Sequence, residues 1–173
     1  MEIVKIPIVR IQMLNGPNGE TKNHIEKEAS VSLSISTDGE VEITGDMANV
    51  YFAKNVVKAI GRGFSSKDAL RLLKEGFELL IIDLKGFAHT ENAMSRIKGR
   101  IIGEDGKVKT EIENATESWI SVYGSTVSII SKYDSMEYAK EAIMKILDGS
   151  PHSAVFNYLA KIKREILSQR LKN

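Results

Sequence analysis

Apolar and polar residues alternate with period two in several short segments of the chain, and this pattern predicts β-strands. Two strand pairs are expected, each joined by a tight turn, at Thr37–Glu40 and at Gly124. A further apolar strand precedes each pair, at Ile3–Val9 and at Glu78–Leu84. The paired strands are Val31–Ser36, Val41–Thr44, Ser118–Val122 and Val127–Ile130.

Longer segments repeat apolar residues every three or four positions, which is the spacing of an amphipathic helix. One helix is predicted before each strand pair and one after it, and the helix after the first pair is expected to be capped by Asp46. The helix after the second pair begins near Ser135. A final helix from about Ser153 carries the apolar residues Val155, Leu159, Ile162 and Ile166.

A glycine pair stands at corresponding places in two halves of the chain. Gly16–Gly19 recurs as Gly103–Gly106 after an offset of about 87 residues, which indicates an internal repeat. Each copy then has the order strand, short helix, Gly-x-x-Gly, helix, strand, strand, helix. The first copy has room for only about one helical turn before its loop, whereas the second has room for a real helix from Glu91. The same offset aligns Ile25 with Ile112, Leu33 with Ile120 and Ile35 with Val122.

Two glycines separated by two residues allow backbone N–H groups at a helix start to approach a phosphate–sugar chain closely. A KH module clamps single-stranded nucleic acid in this way. The predicted fold class is therefore α+β, with two KH modules of order β-α-α-β-β-α. Each is a three-stranded antiparallel sheet packed on helices, and a C-terminal helix follows.

The expected modules are residues 1–64 and residues 77–173, joined by a helical connector over residues 65–76. Glycines end the helix before the connector, and Ser65 or Ser66 can cap the connector helix. Its expected apolar face is Leu70, Leu73 and Phe77.

The chain has 173 residues and no cysteine, which excludes disulfides, thiolate catalysis and a cysteine-based zinc site. No apolar run approaches the ~20 residues of a membrane helix, and Met1–Lys5 lacks the layout of a signal peptide. We therefore expect a cytoplasmic protein without a membrane partner.

Residues 1–84 carry 10 Lys and Arg against 12 Asp and Glu, a net charge of −2, whereas residues 85–173 carry 14 against 11, a net charge of +3. The basic half is the expected nucleic-acid surface.

The segment Gly99–Lys107 does not fit a nucleotide-hydrolysing loop. A Walker A loop needs a glycine where Ile101 stands and a hydroxyl residue where Val108 stands. The sequence therefore predicts no enzyme, no metal site and no cofactor. The histidines are scattered without ligand spacing: His24, His89 and His152.

Four parts of the chain resemble one protein family closely. They are Val57–Ser65 with Ala69–Leu73, Arg96–Gly103, Ile120–Val127 and Gly149–Phe156. On these motifs, and over almost its full length, the chain resembles an archaeal member of the Dim-two (partner of Nob) KH-domain family. The resemblance implies two type I KH domains packed together, and binding to precursor small-subunit ribosomal RNA near its 3′ end. It also implies assistance in ribosome biogenesis to the PIN-domain endonuclease that matures that end. The alpha subunit of initiation factor 2 is a further candidate partner.

The second module is expected to hold the main contacts with single-stranded RNA, at its glycine loop and the flanking helix ends. These residues are Arg96, Lys98, Gly99, Arg100, Ile101, Ile102, Gly103, Glu104, Asp105, Gly106, Lys107 and Lys109. Weaker contacts are predicted in the first module at Gly16, Pro17, Asn18, Gly19 and Lys22.

Both loops depart from the usual KH loop. Pro17 removes a backbone N–H and the first loop has no basic residue, so the first module is expected to be degenerate. Glu104 and Asp105 place two carboxylates where a phosphate should pass, at a cost of roughly 1 kcal/mol each. An alternative therefore stays open, namely a non-catalytic protein-interaction scaffold in ribosome assembly or translation initiation that has lost its KH-loop RNA contacts. Salt-dependent RNA binding separates the two hypotheses.

Overall fold

Strands and helices follow the same order twice along the chain, as the sequence repeat predicts. In a computed structural model that describes all residues from Met1 to Asn173, the chain divides into unit 1, Met1–Leu79, and unit 2, Leu80–Asn173. The first copy contains β1 (Glu2–Lys5), α1 (Ile11–Asn15), α2 (Glu20–Ala29), β2 (Val31–Ile35), β3 (Glu40–Gly45) and α3 (Met47–Gly61). A short helix α4 (Ser66–Ala69) follows. The second copy contains β4 (Phe77–Asp83), α5 (Glu91–Ile102), α6 (Lys107–Thr116), β5 (Trp119–Tyr123), β6 (Thr126–Lys132) and α7 (Tyr133–Leu147), and α8 (His152–Lys172) ends the chain.

Each copy forms a three-stranded antiparallel sheet, so the predicted α+β fold class and the predicted order of elements are confirmed. The strand orders are β1-β3-β2 and β4-β6-β5. In the first sheet Leu33 lies opposite Ile43, and in the second Ile120 lies opposite Ile129. Leu33 and Ile120 are the pair that the sequence offset aligns, and both are buried. The alternating pattern therefore places equivalent residues on the inner face of each sheet.

Helices cover the inner face of each sheet. In unit 1, Ile25 from α2 and Val57 from α3 are fully buried. In unit 2, Ile112 from α6 and Ile143 from α7 are fully buried, and Val155 from α8 joins the same core. A fully buried side chain of this kind stabilises the fold by about 1.5–3 kcal/mol. The apolar face predicted for α8 is confirmed at Val155, Leu159 and Ile162, whereas Ile166 is only half-buried.

The short first helix predicted for the first copy is confirmed, since α1 has only five residues against twelve in α5. The leading strand predicted over Ile3–Val9 is wrong at its end, because β1 stops at Lys5. Pro7 has no N–H to donate to a sheet, and a 3₁₀ turn over Ile8–Arg10 follows it.

The connector prediction is confirmed at its cap and wrong at its end. Ser65 is the capping residue, because its side-chain oxygen accepts a hydrogen bond from the Asp68 N–H at 3.2 Å. The helix is short and continues as a 3₁₀ turn over Leu70–Leu73, so Phe77 belongs to β4 and not to the connector face. Asp46 is the N-cap residue of α3, as predicted, although its carboxylate makes no capping hydrogen bond to the helix.

The buried apolar residues of the last helix, α8, lie in the first half of its length. Val155, Leu159 and Ile162 are buried, whereas Leu167 and Leu171 are 51% and 90% exposed. Arg170 forms an exposed ion pair with Glu117 at the end of α6. No helix of the protein combines the length and the apolar character needed to cross a bilayer.

Candidate nucleic-acid interface

The two glycine loops have nearly the same backbone conformation. Gly16 has φ 72° and ψ 174°, and Gly103 has φ 76° and ψ 174°. Between the glycines, Asn18 adopts φ 52° and ψ 27°, and Asp105 adopts φ 54° and ψ 26°. A residue with positive φ that is not glycine is uncommon, and Asn and Asp tolerate this conformation best. The sequence repeat is thus a structural repeat at both loops.

The first glycine of each loop is required for steric reasons. A β-carbon at Gly103 would lie 2.4 Å from Val108 Cγ2 and 2.8 Å from the Val108 backbone nitrogen. A β-carbon at Gly16 would lie 2.3 Å from Thr21 Oγ1, in the corresponding place. At Gly106 the same atom would meet nothing within 4 Å, so only its φ of 75° favours glycine there. The chain after each first glycine therefore turns tightly into the next helix.

The second loop offers two backbone donors to a ligand. The N–H groups of Glu104 and Asp105 have no acceptor within the protein, although Gly103 and Gly106 are bonded to preceding carbonyls. These donors lie directly before α6, where the helix dipole also favours an anion. In the first loop Pro17 has no N–H, which leaves one such donor at Asn18. The second loop thus offers one more free backbone donor than the first.

The basic residues predicted around the second loop have different environments. Arg96 is exposed on α5, and Lys98 is half-buried beside a surface cleft. The ammonium of Lys107 lies 5.9 Å from the centroid of the Phe156 ring. Lys109 Nζ donates to Glu113 Oε1 at 3.1 Å, so its charge is already paired.

The Arg100 side chain connects the end of α5 to the end of α7 and to the turn between α7 and α8. Its Nη1 donates to the Ile146 carbonyl at the end of α7 at 3.0 Å, and its Nη2 donates to the Ser150 carbonyl. The next residue, Ile101, is fully buried in the core of unit 2. The sequence did not reveal these roles. Arg100 and Ile101 stand in a local series of basic and apolar residues, and the residues that they contact lie far away in the chain. RNA contacts by Arg100 and Ile101 stay predictions.

A cleft of about 610 Å³ runs along α5 and reaches the residue before Gly103. Small residues at Ser95 and Gly99 leave one stripe of α5 without bulky side chains, which makes room for the cleft. Sequence reasoning missed most of its lining, although this i, i+4 spacing of small residues is a readable signal. The lining is Ala88, His89, Thr90, Glu91, Met94, Ser95, Lys98, Gly99 and Ile102.

Unit 1 has a smaller cleft in the corresponding place, of about 550 Å³. No charged residue lines it. Of the weaker predicted contacts, Gly16 and Pro17 lie on its wall, whereas Lys22 is half-buried outside it. The unit 2 cleft is lined by one acidic and one basic residue, Glu91 and Lys98, so the two clefts differ in their charged side chains more than in size. The unit 1 lining is Gln12, Met13, Asn15, Gly16, Pro17, Thr21 and Ser66.

Comparison with protein families places a KH domain on each half of the chain. The family described as Eukaryotic type KH-domain (KH-domain type I) matches residues 78–164. The general KH-domain family matches residues 1–59.

Relatives are found in archaea and eukaryotes. A KH domain-containing protein of Methanocaldococcus jannaschii is 39% identical over 175 residues, which cover 98% of this chain and 77% of that protein. The pre-rRNA-processing protein pno1 of Aspergillus fumigatus is 35% identical over 142 residues, which cover 79% of this chain and 53% of that protein. The chain thus spans about half the length of this fungal relative.

Solved structures resemble the chain closely. Dim2p from Pyrococcus horikoshii OT3 has a TM-score of 0.87 and 44% identity, with 92% of this chain and 98% of that chain covered. The a/eIF2alpha-aDim2p-rRNA complex from the same organism contains a chain with a TM-score of 0.88 and 44% identity, with 95% and 94% covered. A protein of unknown function from Aeropyrum pernix has a TM-score of 0.91 and 36% identity, with 99% and 95% covered.

Proposed function

This chain belongs to the Dim2p/PNO1 family of KH-domain proteins, and we propose that it binds the 3′ region of precursor small-subunit ribosomal RNA and assists maturation of that end. The proposed contact is made mainly by the second glycine loop, on single-stranded RNA. The protein acts in this proposal by binding and positioning RNA, without catalysis of its own and in the cytoplasm.

One observation carries the RNA-binding proposal. The adjacent N–H groups of Glu104 and Asp105 are unpaired, and they lie on a glycine loop at the start of α6. Such a pair can donate to the oxygens of one phosphate, and the loop has no β-carbon at Gly103 or Gly106 to keep the backbone away. The cleft beside it contains Lys98, which can neutralise a neighbouring phosphate. This combination is absent from the first loop.

The proposed identity of the RNA comes from the relatives. The fungal relatives are named pre-rRNA-processing proteins, and the Pyrococcus horikoshii complex contains Dim2p with rRNA. That complex also contains a/eIF2alpha, which supports the alpha subunit of initiation factor 2 as a proposed partner of this chain. The PIN-domain endonuclease that matures the 3′ end is a second proposed partner, and it follows from the processing role.

A binding titration tests the function directly. The full chain is titrated against a fluorescent single strand of the 3′ segment of small-subunit rRNA and against an unrelated single strand of equal length. We expect tighter binding to the rRNA segment, and affinity for both strands should fall as salt rises. Equal affinity for the two strands would reduce the proposal to non-specific RNA binding, and no binding at low salt would refute it.

The exposed Glu104 and Asp105 side chains favour a second candidate function, a protein-interaction scaffold. Two carboxylates at the tip of the loop repel a phosphate but can meet a basic protein surface. The variant Glu104→Lys separates these functions when it is assayed against RNA and against the PIN-domain endonuclease. Improved RNA binding supports the main proposal, whereas unchanged RNA binding with impaired endonuclease binding supports the scaffold.

A further inference from the structure

The beginning of α8 contacts the second glycine loop on both of its sides. Before the loop, His152 Nε2 donates to the backbone carbonyl of Arg100 at 2.9 Å, and the Arg100 guanidinium donates to the Ser150 carbonyl. After the loop, the Lys107 ammonium lies 5.9 Å from the centroid of the Phe156 ring. This distance is within the range of a cation–π interaction. The segment from Ser150 to Phe156 therefore joins the end of α5 to the start of α6.

The two aromatic side chains complete the connection. The His152 and Phe156 rings are one helical turn apart on α8, with centroids 6.3 Å apart and planes inclined by 49°. This geometry is favourable for aromatic packing. A continuous series of contacts thus runs from the Arg100 carbonyl through both rings to the Lys107 ammonium. We call this series the loop brace.

A brace at this place has a clear physical use. The loop contains glycines, which have the largest backbone freedom to lose when a ligand orders them. Lysine also has a long side chain with several rotatable bonds, and fixing it costs further entropy on binding. Contacts that fix the loop ends and the Lys107 side chain before binding reduce both costs. Phe156 can do this because it packs against the core of unit 2.

Unit 1 has no such brace. The residue at the position of Lys107 in the first copy is Glu20, which carries the opposite charge. The aromatic residue after α3, Phe64, is buried in unit 1. The brace is thus confined to the unit whose loop has two free N–H donors.

We propose that His152 and Phe156 are positioning residues for RNA binding, which fix the ends of the second loop and pre-order the Lys107 ammonium for a phosphate. They act through the loop and through Lys107 and do not contact RNA themselves. This inference rests on the proposed function, since it requires Lys107 to contact RNA.

A double-mutant cycle tests whether Phe156 acts through Lys107. The full chain and its variants Phe156→Leu, Lys107→Ala and the double variant are titrated with the single-stranded 3′ segment of small-subunit rRNA. We expect Phe156→Leu alone to weaken binding about threefold, which is the size expected for an exposed cation–π contact. In the Lys107→Ala background, Phe156→Leu should have no further effect, because its partner is gone.

Tyr158→Leu is the matched control. Tyr158 lies on the same helix, and its ring contacts an ammonium, that of Lys145, at 5.1 Å, on α7 and away from the loop. Tyr158→Leu also removes the hydrogen bond that the Tyr158 hydroxyl donates to Glu141 Oε2 at 2.9 Å, so thermal unfolding should show a destabilisation at least as large as that of Phe156→Leu. Only Phe156→Leu should weaken RNA binding. Equal affinities for the two leucine variants would overturn the proposal.

His152 gives an independent measurement if Phe156→Leu does not fold. His152→Ala removes the donor to the Arg100 carbonyl, whereas His152→Gln keeps an N–H donor. We expect the alanine variant to bind RNA about threefold more weakly, as for one lost hydrogen bond, and the glutamine variant to recover most of this loss.

The remaining outcomes each decide one question. A wild-type chain that binds no RNA refutes the proposed function itself. A wild-type chain that binds RNA, with additive effects of Phe156→Leu and Lys107→Ala, overturns the brace, because Phe156 then acts independently of Lys107. Equal RNA affinities of His152→Ala and wild type would also contradict it.

Discussion

The two glycine loops have the same backbone but offer different chemistry to a phosphate. Positive φ values at Gly16 and Gly103 and at the paired residues Asn18 and Asp105 agree within a few degrees. The first loop nevertheless lacks one donor because of Pro17, and no charged side chain lines its cleft. The comparison shows that a Gly-x-x-Gly loop specifies a turn into a helix. We expect the capacity of such a loop to bind RNA to depend on its free N–H groups and on the charges around it.

In both units an arginine side chain donates hydrogen bonds to backbone carbonyls at the end of the third helix, but the two arginines stand at different positions of the repeat. In unit 1, Arg10 Nε donates to the Ile60 carbonyl at 2.8 Å and its Nη2 to the Phe64 carbonyl at 2.7 Å. In unit 2, Arg100 makes the same kind of contact with the end of α7. The two arginines do not align in the repeat, since Met13 stands at the position of Arg100. In both units an arginine therefore donates to one carbonyl in the last turn of the third helix and to one carbonyl just after that helix, but the arginine comes from different positions of the repeat.

The largest expected effect is on stability, and it should differ between the two glycines of the second loop, Gly103 and Gly106. Gly103→Ala should lower the free energy of unfolding by about 3 kcal/mol, because it adds a clash with Val108 to the cost of a positive φ. Gly106→Ala should cost about 1 kcal/mol, since only the positive φ is unfavourable. Chemical denaturation measures both. Equal losses at the two positions would contradict the steric argument.

Replacement of the two arginines is expected to have the next largest effect. Arg100→Ala and Arg10→Ala should each lower the free energy of unfolding by about 2 kcal/mol, because partly buried carbonyls lose charged donors. The exposed Arg96→Ala is the control and should change stability by less than about 0.5 kcal/mol. A loss for Arg100→Ala no larger than for Arg96→Ala would show that the guanidinium is dispensable for the fold.

The difference in RNA binding between the loops can be measured with lysine variants. Lys98→Ala together with Lys107→Ala should weaken RNA binding about tenfold and reduce the log–log salt slope by about 1.4, for two lost phosphate contacts on a single strand. Lys22→Ala in unit 1, at a weaker predicted contact, should weaken binding by about twofold at most and reduce the slope by at most about 0.7. If Lys22→Ala had the larger effect, the first loop and not the second would be the main RNA site.

Gly99 provides a test in which stability and binding change in opposite directions. A β-carbon at this position would meet nothing within 4 Å, so Gly99→Ala should stabilise α5 by about 1 kcal/mol. The added methyl group projects into the cleft beside the loop. We therefore expect weaker RNA binding from a more stable protein, measured by titration and thermal unfolding. Unchanged affinity would place the RNA outside this cleft.

The smallest expected effect concerns the acidic loop tip. Glu104→Lys replaces repulsion of a phosphate by attraction and should raise RNA affinity by about 1 kcal/mol at low salt, less as salt screens it. The titration is repeated at several salt concentrations. Glu104→Gln is the control and should give about half of the gain. Weaker RNA binding by the lysine variant would contradict the proposed path of the RNA.

Local features of the sequence were sufficient to predict the repeat, the strand pairs and the loops. Alternation fixes which face of a strand is apolar, and glycine spacing fixes a tight turn, so these features need only neighbouring residues. The end of β1 was missed because Pro7 and the turn after it lie within an apolar segment. The cap at Ser65 rather than Ser66 is a matter of one residue, which sequence patterns rarely resolve.

Only the tertiary structure decided what the charged residues near the second loop do. Arg100 meets carbonyls about 50 residues away in the chain, whereas Lys109 pairs with Glu113 one turn along its own helix. The cleft beside Gly99 and the ring next to Lys107 likewise depend on how α5, α6 and α8 pack. A sequence specifies local backbone preferences directly. The partner of a long flexible side chain is instead chosen among many by the packed fold, and this is why the loop could be predicted from the sequence and its brace could not.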